Sequence, residues 1–147
     1  MLIREAVFDD IANILELYTD IGDSEEITAE KIAHIWDRIK SYPYYKMLVA
    51  ELDGTIIGTY CIIVIDNLGH GGKPLAVVES VVVHPYYRSK GIGRQLMQDA
   101  MKRAREQGCY KLMLSSNKKR VRAHRFYEEL GFEQHGISFM VEVKDHE

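Results

Sequence analysis

A valine-rich stretch runs into a basic, glycine-containing loop at Val77-Val78-Glu79-Ser80-Val81-Val82-Val83-His84-Pro85-Tyr86-Tyr87-Arg88-Ser89-Lys90-Gly91-Ile92-Gly93-Arg94-Gln95-Leu96. The first half reads as a buried strand closed by Pro85, and the second half opens a helix. That junction suits an anion. The first turn of a helix leaves several N–H groups unpaired and carries about half a positive charge. Gly91 and Gly93 remove side chains, so a phosphate can approach the backbone. Arg88, Lys90 and Arg94 add charge around it. A Walker loop requires Gly-x-x-x-x-Gly-Lys-Ser/Thr, which the sequence lacks. A dinucleotide fingerprint requires a third glycine where Leu96 stands, so that ligand class fails as well.

Two side chains add reactive groups. Glu79 is a carboxylate among valines, and strand alternation predicts Glu79, Val81 and Val83 on one face. A charge in such a strand needs a reason. Tyr127 lies in His124-Arg125-Phe126-Tyr127-Glu128-Glu129-Leu130-Gly131-Phe132. Phe126 can do the packing there, which leaves Tyr127 free to face a ligand.

The pattern Arg-x-x-Gly-x-Gly from Arg88 to Gly93, behind a valine-rich strand, resembles the GNAT superfamily of N-acetyltransferases. Phe126-Tyr127, followed by Gly131-Phe132, is similar to that family's Phe-Tyr-x-x-x-Gly-Phe ending. The likeness covers nearly the whole chain. It implies acetyl-coenzyme A as cosubstrate, no metal, and direct attack by a bound amine. Bringing the two reactants together then supplies much of the rate. By the same resemblance, Arg88, Ser89, Lys90, Gly91, Ile92 and Gly93 would hold the pyrophosphate, helped by Arg94. The backbone of Val81, Val82 and Val83 would bracket the pantetheine arm. An N–H near Val81 would face the thioester oxygen and stabilise the charge that develops there. Tyr127 would protonate, or hydrogen-bond, the departing thiolate.

Members that acetylate amino sugars carry a glutamate in the place of Glu79, so Glu79 would bind the acceptor's ammonium or take its proton through water. An alkyl amine has a pKa of about 10, so help from a base matters at neutral pH. Many members have an asparagine seven residues before the tyrosine. Arg120 stands there and Asn117 lies upstream, so the corresponding cofactor contact falls to Asn117 or Arg120. The basic run Lys118–Arg125 would hold the 3′-phosphate of coenzyme A or form a solvated helix face. The acceptor reads as a small-molecule amine rather than a protein. The alternative function is a coenzyme A-binding sensor or interaction module without catalysis, which the presence of both Glu79 and Tyr127 argues against.

These residues need elements to position them. The pattern predicts a first strand over Leu2–Ala6 and a helix after Asp9 or Asp10 with Ile11, Ile14, Leu15 and Tyr18. It predicts a helix capped by Thr28 with Ile32, Ile35, Trp36 and Ile39 on one face. Met47–Leu52 and Thr55–Ile65 are strands joined by Asp53-Gly54, a tight-hairpin signal. Leu75–His84 is the next strand, Gly91–Gln107 a helix stopped by Gly108, and Cys109–Leu114 a short strand. Lys119–Leu130 is a helix stopped by Gly131, and Ile137–Val143 a last strand. The expected fold is α/β, the GNAT fold. It is a mixed, mostly antiparallel sheet flanked by helices and splayed between the Val81–Val83 strand and the following strand. One domain spans residues 1–147. The short tail after Phe132 leaves one family strand reduced. Short-tailed relatives pair or exchange that strand between subunits, and an unpaired edge is a liability, so the reading allows a homodimer.

Composition bounds the rest. The chain has 147 residues, 46% hydrophobic and 28% charged, with net charge -3. That balance gives no case for nucleic acid. The run Tyr60–Ile65 is too short to span a bilayer and the N-terminus lacks a signal-peptide pattern, so no membrane role is expected. Cys61 and Cys109 form no metal spacing and read as reduced thiols of a cytoplasmic protein.

Overall fold

The structure, a computed structural model, describes residues 1–144. Its strands are β1 (Leu2–Glu5), β2 (Tyr45–Leu52), β3 (Thr55–Ile65), β4 (Leu75–Val83) and β5 (Leu112–Met113). Its α-helices are α1 (Ile11–Tyr18), α2 (Ala29–Ser41), α3 (Ile92–Glu106) and α4 (Val121–Glu129). The chain divides into two compact units, one ending at Leu114 and one beginning at Ser115.

In the first unit the five strands form one sheet in sequence order. β1 through β4 pair antiparallel, and β4 pairs β5 in parallel. The β2–β3 hairpin turns at Asp53 and Gly54, with φ of 51° and 80°. Two positive φ values in succession are what a tight primed turn needs. Thr28 caps α2 through its side chain, which accepts from the Lys31 N–H at 3.2 Å. Ile32, Ile35, Trp36 and Ile39 are its half-buried face, as the spacing predicts.

Helices cover both faces of the sheet. On one face, Ile14 and Leu17 of α1 pack with Val49, Ile56 and Val82. On the other, Ile92, Leu96, Met97, Ala100 and Ala104 form the buried stripe of α3. Gly58 permits that approach. A Cβ there would lie 3.2 Å from Leu96 Cδ1 and 3.3 Å from the Val82 carbonyl oxygen. A polar lock fixes the same helix. Tyr60, fully buried on β3, donates to Asp99 at 2.6 Å, and Arg103 donates to the same carboxylate at 2.8 Å. Burial, with Asp99 beside it, pushes the Tyr60 phenol far above its ordinary range, so it remains a donor.

In the second unit, α4 ends at Gly131, with φ of 97°. The Gly131 N–H donates to the Glu128 carbonyl and the Phe132 N–H to the Tyr127 carbonyl, both at 3.0 Å. This is a left-handed helix stop, and it accounts for the glycine.

The structure corrects three expectations. Ile137–Val143 is not a strand. Its side chains are exposed, from Ile137 at 81% to Val143 at 91%, and no strand of the described chain pairs with it. Alternating apolar residues cannot form a strand without a ladder partner. Cys109–Leu114 shrinks to Leu112–Met113, because β5 meets β4 only at Ala76 and Val77. The last helix begins at Val121 rather than Lys119. Asn117 bends the preceding chain into a turn, its side-chain oxygen accepting from the Lys119 N–H at 2.9 Å.

Candidate functional site

The short β4–β5 contact has a direct consequence. Beyond Val77, β4 keeps β3 on one edge and has no strand neighbour on the other among the described residues. The splay expected next to Val81–Val83 is therefore present. The His84 N–H donates to the Ile57 carbonyl on β3 at 2.8 Å. Ladder alternation then turns the backbone groups of Val83 toward the open edge. Arg88 Nε donates to the Val83 carbonyl there at 3.2 Å. Val82 is buried and packs its side chain into the core under α1.

Past Val83 the chain makes a tight turn. The His84 ring accepts from the Tyr86 N–H at 3.1 Å, and Pro85–Tyr87 form one 3-10 turn. Ser89 and Gly91 then take positive φ, 63° and 82°. α3 starts at Ile92, and Gly91 has no side chain to cap it. The N–H groups of Ile92, Gly93 and Arg94 are therefore the unpaired donors of a first helical turn, with the positive end of the helix dipole behind them. A Cβ at Gly91 would meet nothing within 4 Å, so the space in front of this turn is open. Ile92 contributes backbone only, since its side chain is buried. Lys90 sits over the rings of Tyr86 and Tyr87, 5.0 and 5.5 Å from their centroids. Arg94 is exposed. The loop thus has the geometry of an anion cradle.

Glu79 is exposed on β4, but simple alternation does not place it. Thr59 pairs with Val82 and Cys61 with Glu79, so Tyr60 faces both Ser80 and Val81. This is a β-bulge, and Ser80 sits in it at φ 55°. A non-glycine residue held there costs about 1–2 kcal/mol. The bulge reverses the phase of the strand. Glu79 shares a face with Val82, Cys61 and Thr59, not with Val81 and Val83. That face is the one α1 covers.

The neighbours of Glu79 were not foreseen from sequence. Cys61 is its cross-strand partner, and burial pushes that thiol up to about 11. Burial raises the Tyr45 phenol to about 12, with Cys61, Tyr42 and Glu79 adding to it. Tyr18, at the end of α1, brings its hydroxyl to 3.8 Å from Cys61 Sγ. Burial holds the Tyr18 phenol far above its usual range. Glu79 therefore stands opposite a protonated thiol, with the Tyr45 phenol near it. An open pocket of ≈ 460 Å³ lined by Asn13, Glu16, Asp20, Thr55, His84 and Pro85 does not include Glu79.

In the second unit Tyr127 packs edge-on against Phe126 and Phe132, with centroids 5.2 and 5.7 Å away. Burial raises its phenol above the ordinary range, with Arg120 partly offsetting this, so the neutral acid prevails at neutral pH. The Asn117 carbonyl is bonded to the His124 ring at 2.8 Å and accepts from the Arg120 N–H at 2.9 Å. The Asn117 and Arg120 side chains are exposed. No cluster able to hold a metal ion occurs among the described residues. No helix is long and apolar enough to cross a membrane.

Known proteins carry the same pattern. Residues 8–132 match the model of the acetyltransferase (GNAT) family. A glucosamine 6-phosphate N-acetyltransferase of Trypanosoma brucei brucei is 32% identical over 127 residues, covering 86% of this chain and 84% of that protein. An aminoalkylphosphonate N-acetyltransferase of Salmonella typhimurium is 33% identical over 138 residues, covering 93% and 88%. The solved structure of a Trypanosoma brucei acetyltransferase aligns with a TM-score of 0.85 at 28% identity, covering 97% of this chain and 99% of that one. Fold, family match and relatives matched over most of their length agree: the chain belongs to the acetyltransferase (GNAT) family and is an acetyl-coenzyme A-dependent N-acetyltransferase.

Proposed function

We propose that the chain acts as one catalytic domain that acetylates a small-molecule amine by direct attack on acetyl-coenzyme A. The observation that carries this reading is the β4–α3 junction, where an open strand edge leads into an uncapped helix start at Gly91. The pyrophosphate takes the N–H groups of Ile92, Gly93 and Arg94, with Arg88, Ser89 and Lys90 around it. The pantetheine arm pairs with the backbone of Val81 to Val83 as a missing strand would. The Val81 N–H stabilises the thioester oxygen. Asn117 or Arg120 adds a contact to coenzyme A. Glu79 receives the acceptor's ammonium, as anchor or as base. No metal takes part.

The relatives support a small acceptor, since they are named for glucosamine 6-phosphate and aminoalkylphosphonate substrates. The test is a panel of small amines and peptides assayed by release of free thiol from acetyl-coenzyme A. Turnover of a small amine is the expected result. Binding of acetyl-coenzyme A in calorimetry, with no acetylation of any amine, would instead mark a cofactor sensor.

Tyr127 is the proposed proton donor to the leaving thiolate. Its place in the Phe126-Tyr127 ending that the chain shares with the family supports this. Tyr127→Phe keeps the ring and its packing. It should lower kcat by about 10²-fold while the acetyl-coenzyme A Kd changes little. An unchanged kcat, with chemistry rate-limiting, removes Tyr127 from the mechanism.

We also propose a homodimer in which the exposed apolar tail from Ile137 to Val143 finds its ladder partner in a second copy. Light scattering should return twice the chain's 16.9 kDa. A mass of one chain across micromolar concentrations would refute it. The two free thiols support a cytoplasmic enzyme, which cell fractionation checks.

A further inference from the structure

The face of the sheet that carries Glu79 is only partly covered. α1 packs over its Val49 and Val82 end. The helix runs out at Tyr18, whose hydroxyl stands 3.8 Å from Sγ of Cys61, the cross-strand partner of Glu79. Strand pairing fixes what lies beyond. The row Met47–Cys61–Glu79 is followed by Tyr45–Ile63–Val77, and then by Ile65–Leu75. Alternation puts all of them on one face. Ile63, Val77 and Leu75 are half-buried, and Ile65 is 45% exposed. The intervening Ile62, Ala76 and Val78 point to the face under α3, and none is more than 2% exposed. The same two strands are thus sealed on one side and leave an apolar strip open on the other. Two positions along a strand advance about 7 Å, so the strip runs about 14 Å from Glu79 to Leu75. Its three rows hold one charge, the Glu79 carboxylate. Tyr45, edge-on to Tyr42 with centroids 5.3 Å apart, adds an aromatic surface in the middle row. Open apolar surface with a single charged group at one end has the make-up of a small-molecule site.

We propose that Ile63, Ile65, Leu75 and Val77 form the subsite for the acceptor's body, so that the preferred substrate is a primary amine on an apolar chain or ring. Its ammonium meets Glu79 and its carbon skeleton lies along the strip. The place of the ammonium rests on the acceptor reading given above; the strip itself rests on register and burial alone. A phosphate-bearing amine fits worse, because its anion would lose water with no counter-charge in return. Each methylene covered by the strip strengthens binding about 3-fold. That gain reaches kcat/KM, since the contact persists in the transition state.

The test supplies acetyl-coenzyme A with butylamine, hexylamine, octylamine, phenylethylamine or glucosamine 6-phosphate and follows free thiol release. From butylamine to hexylamine, kcat/KM should climb about 3-fold per methylene, and phenylethylamine should exceed glucosamine 6-phosphate by about 10-fold or more. Val77→Thr keeps the side-chain shape and sets a hydroxyl in the strip, and Ile63→Thr does so on β3. Each should flatten the climb to less than about 2-fold per methylene, with the acetyl-coenzyme A Kd within about 2-fold of wild type. A second readout needs no turnover. Phenylethylamine titrated into the wild-type protein with coenzyme A should shift the methyl NMR signals of Ile63 and Val77 saturably. Such shifts without acetylation of any amine would uphold the strip and overturn the catalytic reading. Shifts that persist at the same affinity in Glu79→Gln would uphold the strip and move the ammonium away from Glu79. The proposal is overturned by the absence of a saturable shift at these methyls, or by rates indifferent to chain length. It is equally overturned by a climb that both threonine variants keep, or by glucosamine 6-phosphate outrunning every apolar amine.

Discussion

Gly91→Val is expected to weaken acetyl-coenzyme A binding by about 100-fold or more, equivalent to about 2.7 kcal/mol. Two effects add. Gly91 sits at φ 82°, where a β-branched residue is strained by about 1–3 kcal/mol. The mutant relieves that strain by rotating the first turn of α3, which takes the N–H groups of Ile92 and Gly93 off their ligand. The second effect is occupancy. Nothing in the protein lies within 4 Å of a Cβ at this position, so the new side chain projects into open space, which the proposed pyrophosphate would share. The core is spared for the same reason, and the melting temperature without ligand should fall only modestly. Calorimetry with acetyl-coenzyme A measures the binding, and a thermal shift on adding the cofactor gives a second readout. Wild-type affinity in the folded mutant would displace the pyrophosphate from this loop.

Glu79→Gln is expected to lower acceptor turnover by about 10²–10³-fold with acetyl-coenzyme A affinity unchanged. Glutamine keeps the size and the hydrogen bonding but neither carries a charge nor accepts the proton. On the proposed reading Glu79 meets the acceptor and not the cofactor, so the loss should fall on the acceptor. The pH profile separates two roles. As base, Glu79 gives the acid limb of kcat/KM, which vanishes in the mutant, and alkaline pH restores activity by deprotonating the amine directly. As anchor, it shows in a raised acceptor KM, and the profile keeps its shape. Kinetics matching wild type across pH would leave Glu79 a structural strand residue.

Local signals carried the sequence reading well. Asp53-Gly54, the Thr28 cap, the α3 stripe and the Gly131 stop are short-range patterns, and each formed where its chemistry demands. The glycine-containing loop and the helix start behind it were legible for the same reason, since Arg88 to Gly93 are consecutive. The surroundings of Glu79 were not. Their placement depends on the register of β4 against β3, and one extra residue at Ser80–Val81 shifts it. Alternation carries no sign of such an insertion, and serine is not a residue that advertises positive φ. Cys61 and Tyr45 come from two other strands, so no local spacing links them to Glu79. The tail misled in the opposite way. Ile137, Phe139, Val141 and Val143 alternate well, but a strand is a pairwise object, and the sequence pattern says nothing of the partner.

The lock between Tyr60, Asp99 and Arg103 bears on the entropy of cofactor capture. Apolar contacts alone would let α3 roll about its axis, since Ile92, Leu96 and Ala100 can slide over a sheet without losing much buried area. The 2.6 Å bond from Tyr60 on β3 to Asp99 is directional and opposes that rotation, while Arg103, on the same helix, fixes the carboxylate at 2.8 Å. The donors at the start of the helix therefore keep their aim while the site is empty. Ordering them for the proposed pyrophosphate would then cost little, and more of the gross interaction energy would survive as affinity.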